Sequence, residues 1–217
     1  MNKQASTAMW TAGAVAAALL LGACGSDDDG SQDEIKGAGD NKPSKSAEPS
    51  KSSEPSPDDA PRYKLAKDAK NVFEDMETGD PKKDEALADN RRRINLTDRI
   101  ITTGKNVDDL KNYAKRQAFV AASEYITAYA DDKYSWAGVT RYYNHRVEFF
   151  SDTKAQITYC VDDSKANDKN LKTGKLDHYD SGKKRDTLET NRVEQNKNGI
   201  WQAYSSKRKQ EAKECEE

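Results

Sequence analysis

Two histidines and three cysteines occur among the 217 residues, so the chemistry open to this chain is narrow. His145 lies between Tyr142-Tyr143 and Glu148. An imidazole is the side chain best suited to moving a proton near neutral pH. Alternation with period two puts His145 on one face with Tyr143 and Val147 and puts Glu148 on the opposite face, which disfavours a single acid–base site made from those two. A lone imidazole in that position is more often a hydrogen-bonded core or rim residue than a base. His178 sits in a Lys-, Asp- and Asn-rich stretch, and two histidines are too few for a zinc site. Asp162, Asp163, Asn167, Asp168 and Asn170 lack the alternating ligands, the turn glycine and the closing glutamate of a calcium loop. With no Gly-rich phosphate cradle or nucleophile elbow either, no metal or other cofactor is expected. Arg91-Arg92-Arg93 is the densest basic run. On a helix its side chains point about 100° apart; the expectation is a solvated face, the alternative an attraction to anionic headgroups or wall polymer.

The elements that must position these residues follow from periodicity. Leu65, Ala69, Val72, Phe73 and Met76 recur at spacings of three and four before Gly79, which predicts a first helix. Asp80-Pro81 offers a cap and a first-turn proline for a second helix, with Leu87, Ile94, Thr97 and Ile101 along one face as far as Gly104. Asn106 starts a third, which Leu110, Tyr113, Gln117, Ala121, Tyr125 and Ala128 carry to about Ala130. The period then shortens to two. Val139, Tyr143, Val147 and Phe149, followed by Ser151-Asp152 and by Ala155, Ile157, Tyr159 and Val161, predict a hairpin over 139–162. A connection over 163–184 leads to a second hairpin around Asn198-Gly199. Helices followed by an antiparallel meander of about four strands make an α+β plan.

Composition divides the chain before residue 62. Lys3 precedes an apolar run from Ala8 to Leu21 that is too short to span a bilayer and of the length of a secretory h-region. It ends in Leu21-Gly22-Ala23-Cys24, which resembles the bacterial lipobox. That resemblance implies a lipoprotein signal peptide over 1–23, diacylglyceryl modification of Cys24, and an extracytoplasmic protein held on the outer face of the cell membrane. Residues 24–61 are rich in Ser, Pro and acids, with ten acidic and four basic side chains from Gly25 onward, the composition of a disordered tether. Residues 62–217 hold all ten tyrosines and a slight positive excess, too little charge to argue for nucleic acid. Cys160 and Cys215 remain. Outside the cytosol two thiols make one bridge, and closing a loop of about 56 residues would contribute roughly 4 kcal/mol. Free thiols and a partner metal site are the alternatives.

Trp136-Ala-Gly-Val-Thr-Arg-Tyr-Tyr143, Ile157-Thr-Tyr-Cys160, Asp163-Ser-Lys-Ala166, Lys172-Thr-Gly-Lys175, Gly199-Ile-Trp201 and the terminal Cys215 together resemble a group of actinobacterial secreted lipoproteins. The resemblance implies a nuclear transport factor 2-like, cystatin-like cone, in which helices pack into a curved antiparallel sheet. Against that pattern the third strand, from Arg185 to Gln195, is unusually charged, which predicts an edge strand or a shorter one. Enzymes with such cones place acid–base groups in the open mouth, which would make His145, Glu148, Asp98, Tyr142 and Tyr143 the candidates here. The expectation is a non-catalytic binding domain for a small apolar ligand or an envelope protein, with Trp136, Tyr143 and His145 as candidate ligand contacts. An isomerase- or dehydratase-type enzyme and a surface structural or exclusion protein are the alternatives.

Overall fold

A computed structural model describes residues 62–178 and 186–215. The signal peptide over 1–23, the lipidation site Cys24 and the tether over 24–61 lie outside the described residues.

The architecture is α+β, with helices packed against a mixed, mostly antiparallel sheet of six strands in the order β1-β2-β3-β5-β6; β4 pairs with β3 off that path. The strands are β1 (Ala69–Phe73), β2 (Tyr134–Ser151), β3 (Lys154–Asn170), β4 (Leu176–Asp177), β5 (Thr187–Gln195) and β6 (Trp201–Gln210). The helices are α1 (Pro81–Thr103), α2 (Leu110–Tyr113) and α3 (Arg116–Asp132).

The expected first helix is instead β1, which runs parallel to β2 from Ala69 opposite Gly138 to Phe73 opposite Tyr142. Its three- and four-residue spacing fits a helix equally well, and tertiary pairing decides the outcome. The β2 edge supplies backbone partners, and Phe73 stacks on Tyr142 with ring centroids 4.8 Å apart. The next helix forms where its caps predict. The Asp80 carboxylate accepts from the amides of Lys82 and Lys83, Pro81 opens the first turn, and Gly104 closes α1 at φ 69°. The expected third helix is broken. A short 3₁₀ turn (Val107–Asp109) and α2 lead to Ala114 in extended conformation. There Lys115 donates its amide to the Ala203 carbonyl at 2.8 Å, so the chain touches β6 before α3 begins.

Both hairpins form, and the first is far longer than expected, since β3 continues through the polar stretch to Asn170. The charged strand β5 is not at an edge: β3 flanks it on one side and β6 on the other. Its charges are tolerated because most face outward or find partners, as Glu194 does with Lys115 and Lys154.

The main core, built from Leu87, Ile94, Tyr142, Ile157, Val193 and Trp201 among others, lies between α1, α3 and the sheet. On the sheet's other side Tyr143, Cys160, Ala212 and Cys215 form a small separate cluster. The Cys160 and Cys215 sulfurs are bonded at 1.99 Å, and the Tyr143 hydroxyl donates to the Cys215 carbonyl at 2.8 Å.

Candidate functional site: a cavity between helices and sheet

The helices bring to the sheet side chains that are small, apolar or, in two cases, charged. Ala118, Ala121 and Ala122 on α3 leave space against the sheet, while α1 contributes Arg93, Ile94, Thr97 and Asp98. From the sheet come Tyr142, Tyr159 and Val161, then Glu189, Ser206 and Arg208. A cavity of about 290 Å³ remains between them. Tyr125 and Arg208 line it and are themselves exposed, so it reaches solvent between α3 and β6. A smaller space of about 80 Å³ adjoins it, sharing Asp98, Tyr142 and Arg208 and adding Trp136, Asp163 and Asp168.

Burial makes the charges of this cavity costly unless they are paired. Asp98 is 7% exposed. Burial pushes its pKa up to about 6, against hydrogen bonds from Asn71, Tyr142 and Trp136 and the charge of Arg208. Asn71 of β1 donates to it at 2.7 Å and the Tyr142 hydroxyl at 3.3 Å. Burial raises the Tyr142 pKa well above its ordinary value, and the Asp98 charge adds to the rise. Glu189 of β5 accepts from the Arg208 guanidinium at 2.5 Å. Burial works against the Arg208 charge, but Glu189 together with Tyr125 and Tyr159 offsets it and holds that pKa above normal. Arg93 is buried and donates to the Asn90 side-chain carbonyl at 3.0 Å and to the Tyr159 hydroxyl at 3.3 Å. Tyr159 also accepts from Asn191 at 3.2 Å.

The candidates named from sequence divide sharply. Asp98 and Tyr142 line the main cavity, and Trp136 lines its annex. Tyr143 does not: it is on the opposite face of β2, with the Arg141 guanidinium 4.0 Å from its ring centroid and Asp186 accepting from its hydroxyl. The reason is a β-bulge. The β2/β3 register shifts between Tyr143 and Arg146, where Asn144 takes φ 55°, so the alternation that joined Tyr143 to His145 reverses there. His145 stacks on Tyr159 at 5.4 Å between centroids, yet it is not among the cavity's lining residues. Burial lowers its pKa, with the Tyr142 backbone and the Asp75 charge working the other way. Glu148 is exposed.

Sequence reasoning missed Arg93 and Glu189. The expected solvated face of Arg91-Arg92-Arg93 is corrected in part: Arg91 is exposed, Arg92 pairs with Asp89 at 2.6 Å, and Arg93 turns inward. The signal for Arg93 was its place beside Ile94 on the apolar stripe. For Glu189 it was parity with Thr187, Asn191 and Val193, all buried.

Among the described residues no group of three or more His, Cys, Asp or Glu side chains could hold a metal ion, and no helix is long and apolar enough to cross a membrane. These features define an α+β domain with a solvent-reaching cavity between helices and sheet, lined by charged, polar and apolar side chains. No protein-family model matches the chain, and no curated protein matches it. Among solved structures it is similar to the intermembrane space region of the chloroplast protein ARC6. The identity is 11% and the TM-score 0.42, over 57% of this chain and 92% of that one, a likeness too weak to carry an argument.

Proposed function

We propose that this chain is a lipid-anchored extracytoplasmic protein whose α+β domain, a nuclear transport factor 2-like cone, binds a small ligand in the cavity between α1, α3 and the sheet. The cavity is the observation that carries the reading. Three alanines on α3 leave about 290 Å³ between helices and sheet, open to solvent beside Tyr125 and Arg208, a concave and partly apolar space of the kind that small ligands occupy. Anchoring rests on Leu21-Gly22-Ala23-Cys24 and the acidic, Pro-rich stretch after it, which would hold the domain away from the bilayer while two acyl chains keep it there.

The test uses the full chain recovered from a bacterial envelope. Organic extraction and mass spectrometry should release a small molecule from the wild type and much less from Ala121→Trp, which places an indole in the half-buried wall of the cavity. Identical extracts from two variants of matched thermal stability would refute cavity binding. Labelling with a fatty-acid analogue should depend on Cys24, and incorporation unchanged in Cys24→Ser would refute the anchor.

A second reading, an isomerase- or dehydratase-type enzyme, draws its support from Asp98, a carboxyl with a pKa near 6 against the hydroxyl of Tyr142 inside a cavity. On this reading Asp98 rather than His145 would be the proton carrier.

A further inference from the structure

We infer that the cavity takes a small amphipathic monoanion, its oxyanion head against Arg93 and its apolar body against Ile94, Ala118, Ala122 and Val161. This deepens the ligand-binding reading above and rests on it.

The argument is an account of charges. Four side chains that carry formal charge line the main cavity: Arg93, Asp98, Glu189 and Arg208. Glu189 and Arg208 are paired with each other. Asp98 accepts from three neutral donors, Asn71, Tyr142 and Trp136, which disperse its charge. Arg93 likewise has no ion pair among the described residues. It is 9% exposed, and its hydrogen bonds go to two neutral oxygens, the Asn90 amide carbonyl and the Tyr159 hydroxyl. Among the described residues no carboxylate lies within ion-pair distance of it. Asp98, five positions further along α1, is about 140° away around the helix axis and cannot serve it.

A guanidinium removed from water without a counterion is unfavourable unless something supplies the negative charge. Its planar array of donors matches carboxylate and phosphate oxygens. Asp163 and Asp168 line the annex together with Arg208, whereas Arg93 lines the main cavity. An anionic head is drawn to Arg93. The wall between is Ile94, Val161 and alanines, a surface for a short hydrocarbon rather than for a sugar or nucleotide. The cavity volume sets the scale at a compact molecule.

The test is calorimetric titration of the full chain in phosphatidylcholine vesicles, with protein-free vesicles as the blank and three probes of equal length: hexanoate, 1-hexanol and hexylammonium. Hexanoate should bind at least about tenfold tighter than 1-hexanol, the scale of one charge-assisted contact. Arg93→Gln should remove that preference while leaving 1-hexanol binding unchanged, and Arg93→Lys should restore part of it. If Arg93→Gln does not fold, the wild-type series alone decides. Hexanoate binding no tighter than 1-hexanol, or weaker than hexylammonium, overturns the anion assignment and leaves ligand binding standing. Saturable binding of none of the three overturns this inference; cavity binding as such is judged separately by the envelope extraction.

Discussion

Asp98 shows how a single side chain can set the response of the fold to pH. Burial raises its pKa from 3.8 to about 6, so the native state holds this proton more tightly than the unfolded chain does. The sign follows from linkage: between those two values the stability contributed at Asp98 falls as pH rises, by about 3 kcal/mol in all. Asp98→Asn removes the titration and keeps one oxygen for the donors of Asn71 and Tyr142. Urea denaturation from pH 4 to pH 7 should therefore show the variant gaining on the wild type as pH increases. A constant difference across that range would mean that Asp98 titrates normally. His145 acts in the opposite sense, because burial lowers its pKa and its contribution is lost as pH falls below its ordinary value; comparison of the two proteins cancels that term. Tyr143, Trp136 and His145 looked alike in sequence as aromatic ligand contacts; one backbone irregularity at Asn144 separates Tyr143 from His145, and Trp136 lines the annex.

At the scale of elements, β2 determines what the cavity sees. It deviates from regular pairing at three places, and the one between Tyr143 and Arg146 changes which parity faces the helices. Near its start Gly138 has φ 108°, and a Cβ there would meet the Lys165 carbonyl oxygen at 2.2 Å. Backbone must move to admit one. Gly138→Ala should therefore destabilise the domain by about 2 to 3 kcal/mol, from strain and the displaced β3 partner together, read as a lower denaturation midpoint. An unchanged midpoint would show that β2 and β3 separate there without cost. Helix α1 was legible because its limits are written in local chemistry, Asp80-Pro81 at one end and Gly104 at the other. The strand β1 was not, because five residues of mixed polarity carry no decisive period and their fate depends on the free edge of β2.

For the whole domain, the Cys160–Cys215 bond fastens the C-terminal turn (Lys213–Cys215) to the outer side of the sheet, closing a chain separation of 55 residues. Removing it with the pair Cys160→Ser and Cys215→Ser should cost about 4 kcal/mol, chiefly by freeing the unfolded chain. Equilibrium urea unfolding of that variant would measure the loss, and stability equal to the wild type would contradict it. The bond lies on the side of the sheet away from the cavity, since Cys160 clusters with Tyr143 while Tyr159 faces Arg93. The disulfide and the cavity thus occupy opposite faces of one strand.

Sequence alone determined the α+β class, the caps of α1 and both hairpins, because each depends on neighbours in the chain; it offered the Cys160 to Cys215 bridge beside free thiols and a metal site, and the structure has the two bonded. Tertiary structure alone decided that β5 is flanked on both sides and that Tyr143 and His145 part company. Those outcomes depend on which edge accepts which strand and on where one extra residue interrupts a ladder. Both are set by packing energies between segments far apart in the chain, which no local period records.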